Sequence, residues 1–296
     1  MNLISVRKLG VAAVFAASTT ISVNAAVYTT PSGLLTAPNA GTVNDPIVAD
    51  TWLRENVRNG ASIGITNNFP RNNDGSGYLN LGPNGSSGKA DWEFYPTGTF
   101  GTIANLNAYS YDWYRNSTST VASPLHPVIR LIVDIDGVNP GTSNDIAYLI
   151  FERAYNPSTS AVPTNTWTTE TIGNSTNLWV SQPGVGIETV YNRTLADYKA
   201  GTYTPNAGWS KITGNSVIIG VSMGIGSGWT GSFEGAVDNV ALSRANAAAF
   251  SANMEVNLPV AIAPYVPVPT LGFTQLLALI GLLGLAMTFV LGRRKH

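Results

Sequence analysis

The side chains able to do chemistry are few and widely spaced in this sequence. His126, held between Pro124 and Pro127, is the one histidine ahead of the terminal His296. A Ser-His-Asp triad would have to use it. No Gly-x-Ser-x-Gly elbow accompanies it, so a histidine in a proline-restricted loop is the plainer reading. There is no cysteine, which removes thiol chemistry and, with one internal histidine, leaves no ligand set for zinc.

Carboxylates offer more. Two of them two residues apart on a strand stand roughly 6–7 Å apart, a separation that glycoside hydrolysis can use. Asp91 and Glu93 have that spacing, as do Asp134 and Asp136, and Glu152 falls on the neighbouring hairpin arm. A hydrolase would use a pair such as Glu93 and Glu152, although no Glu-x-Asp-x-Glu run supports it. Asp134, Asp136, Asn139 and Asp145 gather hard oxygens of the kind calcium takes, but Asp136-Gly137 is equally a hairpin turn.

The aromatic residues point elsewhere. Sugars stack on Trp and Tyr faces while Asn and Asp hydrogen-bond their hydroxyls. Trp179, Trp209 and Trp229 lie beside Gly-, Ser- or Asn-rich loops and are the candidate ligand-binding residues. Trp92, Trp113 and Trp167 fall within strand patterns and are expected in the core. Gly224 to Gly228 lacks a Lys and a following helix, so it is a tight turn and not a phosphate cradle.

These residues must be positioned by strands. Alternation of apolar and polar side chains marks strands over 61–66, 89–95, 106–114 and 166–172, with a short one over 78–81. Residues 128–135 and 146–151 are nearly continuous apolar runs joined by a turn, and form a hairpin of central strands in which Arg130 needs a partner. Residues 216–223 form another buried strand, and 232–242 closes the domain. A helical turn is expected over 194–199 and a weak helix in the Ala-rich stretch 243–252, while 26–57 reads as a loose lead-in tied down by Trp52. About ten short strands with no 40-residue repeat predict an all-β sandwich.

Basic and acidic residues number 16 and 17 and charged residues are 11% of the chain, so no polyanion such as nucleic acid is implied as a partner. Without disulfides the domain must be held by its own core, which about 240 residues permit.

Both ends carry address signals. Residues 1–25 have a basic start (Arg7, Lys8), an apolar stretch and Val23-Asn24-Ala25, the pattern of a cleaved signal peptide. At the other end a Pro-rich stalk spans 258–269. An uncharged apolar run over 273–291 is long enough to span a bilayer as a helix, and it stops at Arg293-Arg294-Lys295. Those cations belong in the cytoplasm, which places the domain outside.

Val268-Pro269-Thr270-Leu271, then the span, then Arg293 and Arg294, resembles the IPTL-CTERM sorting signal, a relative of PEP-CTERM on exported proteins of Gram-negative bacteria. Val268 stands where that family usually has Ile. The resemblance implies an exosortase-type transpeptidase as partner and display at the cell surface. A second stretch, Gly231 to Leu242, is similar to the last strand of jelly-roll carbohydrate-binding and galactose-binding-like domains. It implies a jelly-roll-type sandwich over 26–257, with Asp238 as a ligand of a structural calcium. The resulting expectation is an exported, membrane-anchored, noncatalytic β-sandwich that binds glycan or matrix material. The alternatives are a carbohydrate-active enzyme or a surface coat without a discrete ligand.

Overall fold

The computed structural model describes residues 26–28, 42–83, 87–138, 145–157, 161–245 and 247–256. The chain divides into two units, Met1–Asn257 and Leu258–His296. The expected signal peptide 1–25, stalk 258–269 and sorting segment 270–296 with its apolar run 273–291 lie outside the described residues. Among the described residues no helix is long and apolar enough to cross a membrane.

The first unit is a mostly antiparallel β-sandwich. Its strands in chain order are β1 (Ala26–Tyr28), β2 (Thr42–Val43), β3 (Trp52–Arg58), β4 (Ala61–Thr66), β5 (Ser76–Leu81), β6 (Lys89–Phe94) and β7 (Gly101–Thr102). Next come β8 (Leu106–Arg115), β9 (Val128–Asp134), β10 (Ile146–Phe151), β11 (Thr168–Ile172), β12 (Asn177–Gln182), β13 (Gly186–Ile187) and β14 (Arg193–Thr194). Helix α1 (Leu195–Ala200) precedes β15 (Val217–Gly226), β16 (Phe233–Arg244) and β17 (Phe250–Met254). One sheet runs β1-β17-β16-β5-β4, with β8 on the other side of β16 and β11 on β8. The second runs β13-β12-β10-β9-β15-β6-β3-β2 and carries the candidate site.

The alternation seen in sequence is realised. Trp92 and Phe94 of β6 and Tyr109, Tyr111 and Trp113 of β8 are fully buried. They join Trp52, Phe233 and residues of both sheets in one core. Replacing a buried Trp by Ala in such a core costs about 3–5 kcal/mol. β9 is buried along its whole length, as a central strand should be, and it pairs antiparallel with β10 as the hairpin reading requires. Helix α1 is capped by Thr194, whose hydroxyl accepts from the Asp197 N–H and whose own N–H donates to the Asp197 carboxylate, and Gly201 in the left-handed region ends it.

Four expectations need correction. Residues 52–58 are not lead-in but strand β3, whose buried Trp52, Leu53 and Val57 overcome the charged Arg54, Glu55 and Arg58. The Ala-rich stretch ends in strand β17, because Ala252 and Met254 face the core and pair against β16. Trp179 lies in strand β12 and not in a loop, with Leu178 and Val180 on the buried side. Trp167 precedes β11 and is only half-buried, with its indole N–H donating to the Pro70 carbonyl at 3.2 Å and Arg71 over its ring.

Candidate functional site: an aromatic-walled cleft

The second sheet turns one face to the core and the other outward. On the outward face the ladder aligns Trp179 of β12 with Ile150 of β10, Ile150 with Arg130 of β9, and Arg130 with Ser222 of β15. Glu152, one residue beyond the β10 ladder, stands next to Val128 by the same register. Arg130, Glu152 and Val128 thus form a floor. Trp179, Tyr155, Tyr191 and Ile187 rise on one side, and Leu125, Trp229 and the Gly226-Ser227-Gly228 turn on the other. Together they enclose a cavity of about 280 Å³. Tyr155 and Tyr191 stack at 4.0 Å and Trp179 meets Tyr191 edge-on at 6.1 Å. Trp229 is held edge-on by Phe233 at 5.5 Å.

Arg130 has the partner that its burial demanded. Its Nη1 donates to Asp91 Oδ1 at 2.8 Å and to Ser222 Oγ at 3.1 Å, and Lys89 meets the other Asp91 oxygen at 2.7 Å. Burial alone would raise the Asp91 pKa, but the Arg130 and Lys89 cations outweigh it and hold the carboxyl below its ordinary value. Gly224 makes the pairing possible, since a Cβ there would lie 1.9 Å from Asp91 Oδ1.

Glu152 is in the opposite condition. Burial among aromatic groups pushes its pKa up, while Arg130 and the Trp179 indole N–H pull against that rise. The indole approaches the carboxylate without a hydrogen bond of full geometry.

The pair that the alternative hydrolase reading would use, Glu93 and Glu152, is not brought together. Three inter-strand steps of about 4.8 Å separate the strands of Glu93 and Glu152, roughly 14 Å in all, against the 5–9.5 Å that hydrolysis requires. Glu93 is buried, accepts from the Tyr95 hydroxyl at 2.6 Å, and has its pKa raised by burial and then by Asp91. Glu55, unmarked in the sequence reading, stands opposite Asp91 on the neighbouring strand β3. Burial and then Glu93 raise the Glu55 pKa to about 7.

Of the three candidate tryptophans, Trp179 and Trp229 line the cleft, whereas Trp209 is half-buried against the core and does not. Tyr155 and Tyr191 were missed, and their only signal is an aromatic residue beside a polar loop. Asp238 is fully buried; its Oδ1 accepts from the Asn239 and Met254 amides, both at 2.8 Å. Its Oδ2 is buried without a donor among the described residues. Burial raises its pKa to about 7 despite those two amides.

Asp238 belongs to no group of three metal-ligating side chains among the described residues; Asp134, Asp136 and Asp145 form one, with ligand atoms within 4.8 Å of one another. Those carboxylates already accept from turn amides of Gly137, Val138 and Asp136. Asn139 lies outside the described residues. His126 is buried against Trp113, with ring centroids 4.4 Å apart, and its Nδ1 faces the Pro127 carbonyl at 2.8 Å, so it packs rather than catalyses.

The fold and site define a β-sandwich with an aromatic cleft on one sheet. No family model matches the chain, and neither does any curated protein. Among solved structures it is similar to an endo-beta-1,4-glucuronan lyase from the fungus Trichoderma reesei, with 10% identity and a TM-score of 0.34 over 64% of this chain and 89% of that one. It is also similar to the cellulose induced protein Cip1, with 16% identity and a TM-score of 0.33 over 71% of this chain and 89% of that one. At these values neither likeness speaks to ligand or reaction.

Proposed function

We propose that the chain is an exported, membrane-anchored β-sandwich that binds glycan or matrix material noncatalytically in the cleft between Trp179 and Trp229. The convergence of four aromatic residues with Arg130 and Glu152 around one cavity carries the reading. Aromatic faces take the apolar faces of sugar rings, and a few charged groups fix their hydroxyls. A single raised-pKa carboxylate on the floor, with Glu93 three strands away, supports binding over hydrolysis. The Val268-Pro269-Thr270-Leu271 motif and Arg293-Arg294 support sorting by an exosortase-type enzyme to the surface of a Gram-negative cell.

The test is titration calorimetry of the purified full chain against neutral and charged oligosaccharides. Trp179→Ala is expected to weaken binding at least tenfold and Trp209→Ala to leave it unchanged. Equal loss in both variants, or hydrolysed product in the cell, would defeat the reading. Calcium at Asp238 is a separate part of the proposal, supported by its donorless Oδ2. Its check is a melting temperature that rises in millimolar calcium over chelator in the wild type and not in Asp238→Asn.

A further inference from the structure

The hydrogen-bonding capacity left open on the cleft floor defines a narrower ligand class than glycan. Among the described residues Arg130 engages only Nη1, with Asp91 and Ser222. Its Nε and Nη2 make no hydrogen bond among the described residues, and Arg130 lines the cavity. The Glu152 carboxylate lines the same cavity and accepts no hydrogen bond of full geometry among the described residues. The floor therefore presents unspent donors next to unspent acceptors.

A ligand carboxylate would satisfy Arg130 but set an acceptor against an acceptor at Glu152. A ligand ammonium would satisfy Glu152 but set a donor against the guanidinium. A buried polar group left unpaired costs about 1–3 kcal/mol, more when charged, so each mismatch is penalised. A pair of adjacent hydroxyls does both tasks, because each oxygen accepts from the fork while each O–H donates to the carboxylate. Asp91, ion-paired with both Arg130 and Lys89, and Glu152 together set two carboxylates against two cations, so the site has no strong net charge to draw an ion. A cavity of about 280 Å³ has room for one sugar ring and part of the next.

We propose that the cleft selects a neutral pyranose through two adjacent hydroxyls bound between Arg130 and Glu152, with Trp179 and Trp229 on either side of the ring. This rests on the cleft being the glycan site.

The experiment is calorimetry on the full chain with four trisaccharides: neutral ones of glucose and mannose, one of glucuronic acid and one of glucosamine. At least one neutral sugar is expected to bind tenfold or more tighter than both charged ones. Glu152→Gln trades an acceptor for a donor, and Arg130→Lys keeps a cation opposite Asp91 while losing the fork. Each is expected to lower neutral-sugar affinity tenfold or more with an unchanged urea midpoint. Glu152→Gln should also relax discrimination against the uronate, a change that a merely structural role would not produce. A wild-type preference for the uronate or the amino sugar overturns this inference and leaves the glycan site standing. Binding of none of the four overturns both.

Discussion

At the scale of single residues, His126 shows how far a side chain's role depends on what folds over it. In sequence it is a loop histidine between prolines. In the structure it is buried against Trp113, with Nδ1 on the Pro127 carbonyl and Nε2 without a partner among the described residues. Burial lowers its pKa from 6.5 to about 3. Because the folded pKa lies below the unfolded one, the contribution is fully present above pH 6.5 and is lost as pH falls from there towards 3, by roughly 5 kcal/mol at most. Glu55 and Asp238, with pKa values raised to about 7, act in the other direction and lose stability as pH rises from the ordinary carboxylate range to 7. Subtraction isolates the histidine. His126→Phe keeps a ring against Trp113, and its urea midpoint is expected to fall less than the wild type's between pH 6.5 and 4. Parallel profiles for the two proteins would show that the imidazole is not held neutral.

At the scale of elements, strands with strict alternation were legible and those with mixed signals were not. β4, β6 and β8 announce themselves because every second residue is apolar. β3 hides behind the adjacent charges of Arg54 and Glu55, which break the alternation: Arg54 is paired with Asp45, and Glu55 stands opposite Asp91. β12 alternates Leu178, Val180 and Gln182 against Trp179 and Ser181, a signal present but outweighed by the turn residues around it. The cleft was legible only as separate parts. Trp179 and Trp229 were marked singly, yet they face each other because β12, β10, β9 and β15 are neighbours, an order fixed by pairing between residues far apart in the chain.

That order also makes β15 sensitive at Gly224. A methyl at Gly224 would fall 1.9 Å from Asp91 Oδ1 and 2.6 Å from the Ala90 carbonyl, so backbone must move and the hold on Arg130 is lost. Gly224→Ala is expected to cost about 2–4 kcal/mol in urea unfolding and to abolish sugar binding. Gly173→Ala, with open space at its Cβ, should do neither. Wild-type affinity in Gly224→Ala would separate Arg130 from the site.

At the scale of the whole molecule, destination and domain are written in different physical languages. The domain is specified by long-range pairing, whereas the signals proposed for the ends rest on local composition and need no fold to be read. The run 273–291 carries no charge, and Arg293, Arg294 and Lys295 follow it. About nineteen apolar residues in a helix rise close to the 30 Å of a bilayer core, and no pair of distant residues has to meet for that to hold. In the proposed anchor, cations at the end of the run are costly to move across lipid, which assigns them to the cytoplasmic side. Under the proposed sorting, removing residues 270–296 is expected to leave translocation, assigned to 1–25, and to abolish retention. The truncated protein is expected in the soluble exported fraction and the full chain in the membrane fraction. Replacing Arg293, Arg294 and Lys295 by Glu in the full chain should preserve membrane association but lower the fraction whose sandwich resists protease only from the cytoplasmic side. Recovery of the full chain from the cytosolic supernatant would refute the anchor, whatever the cleft binds.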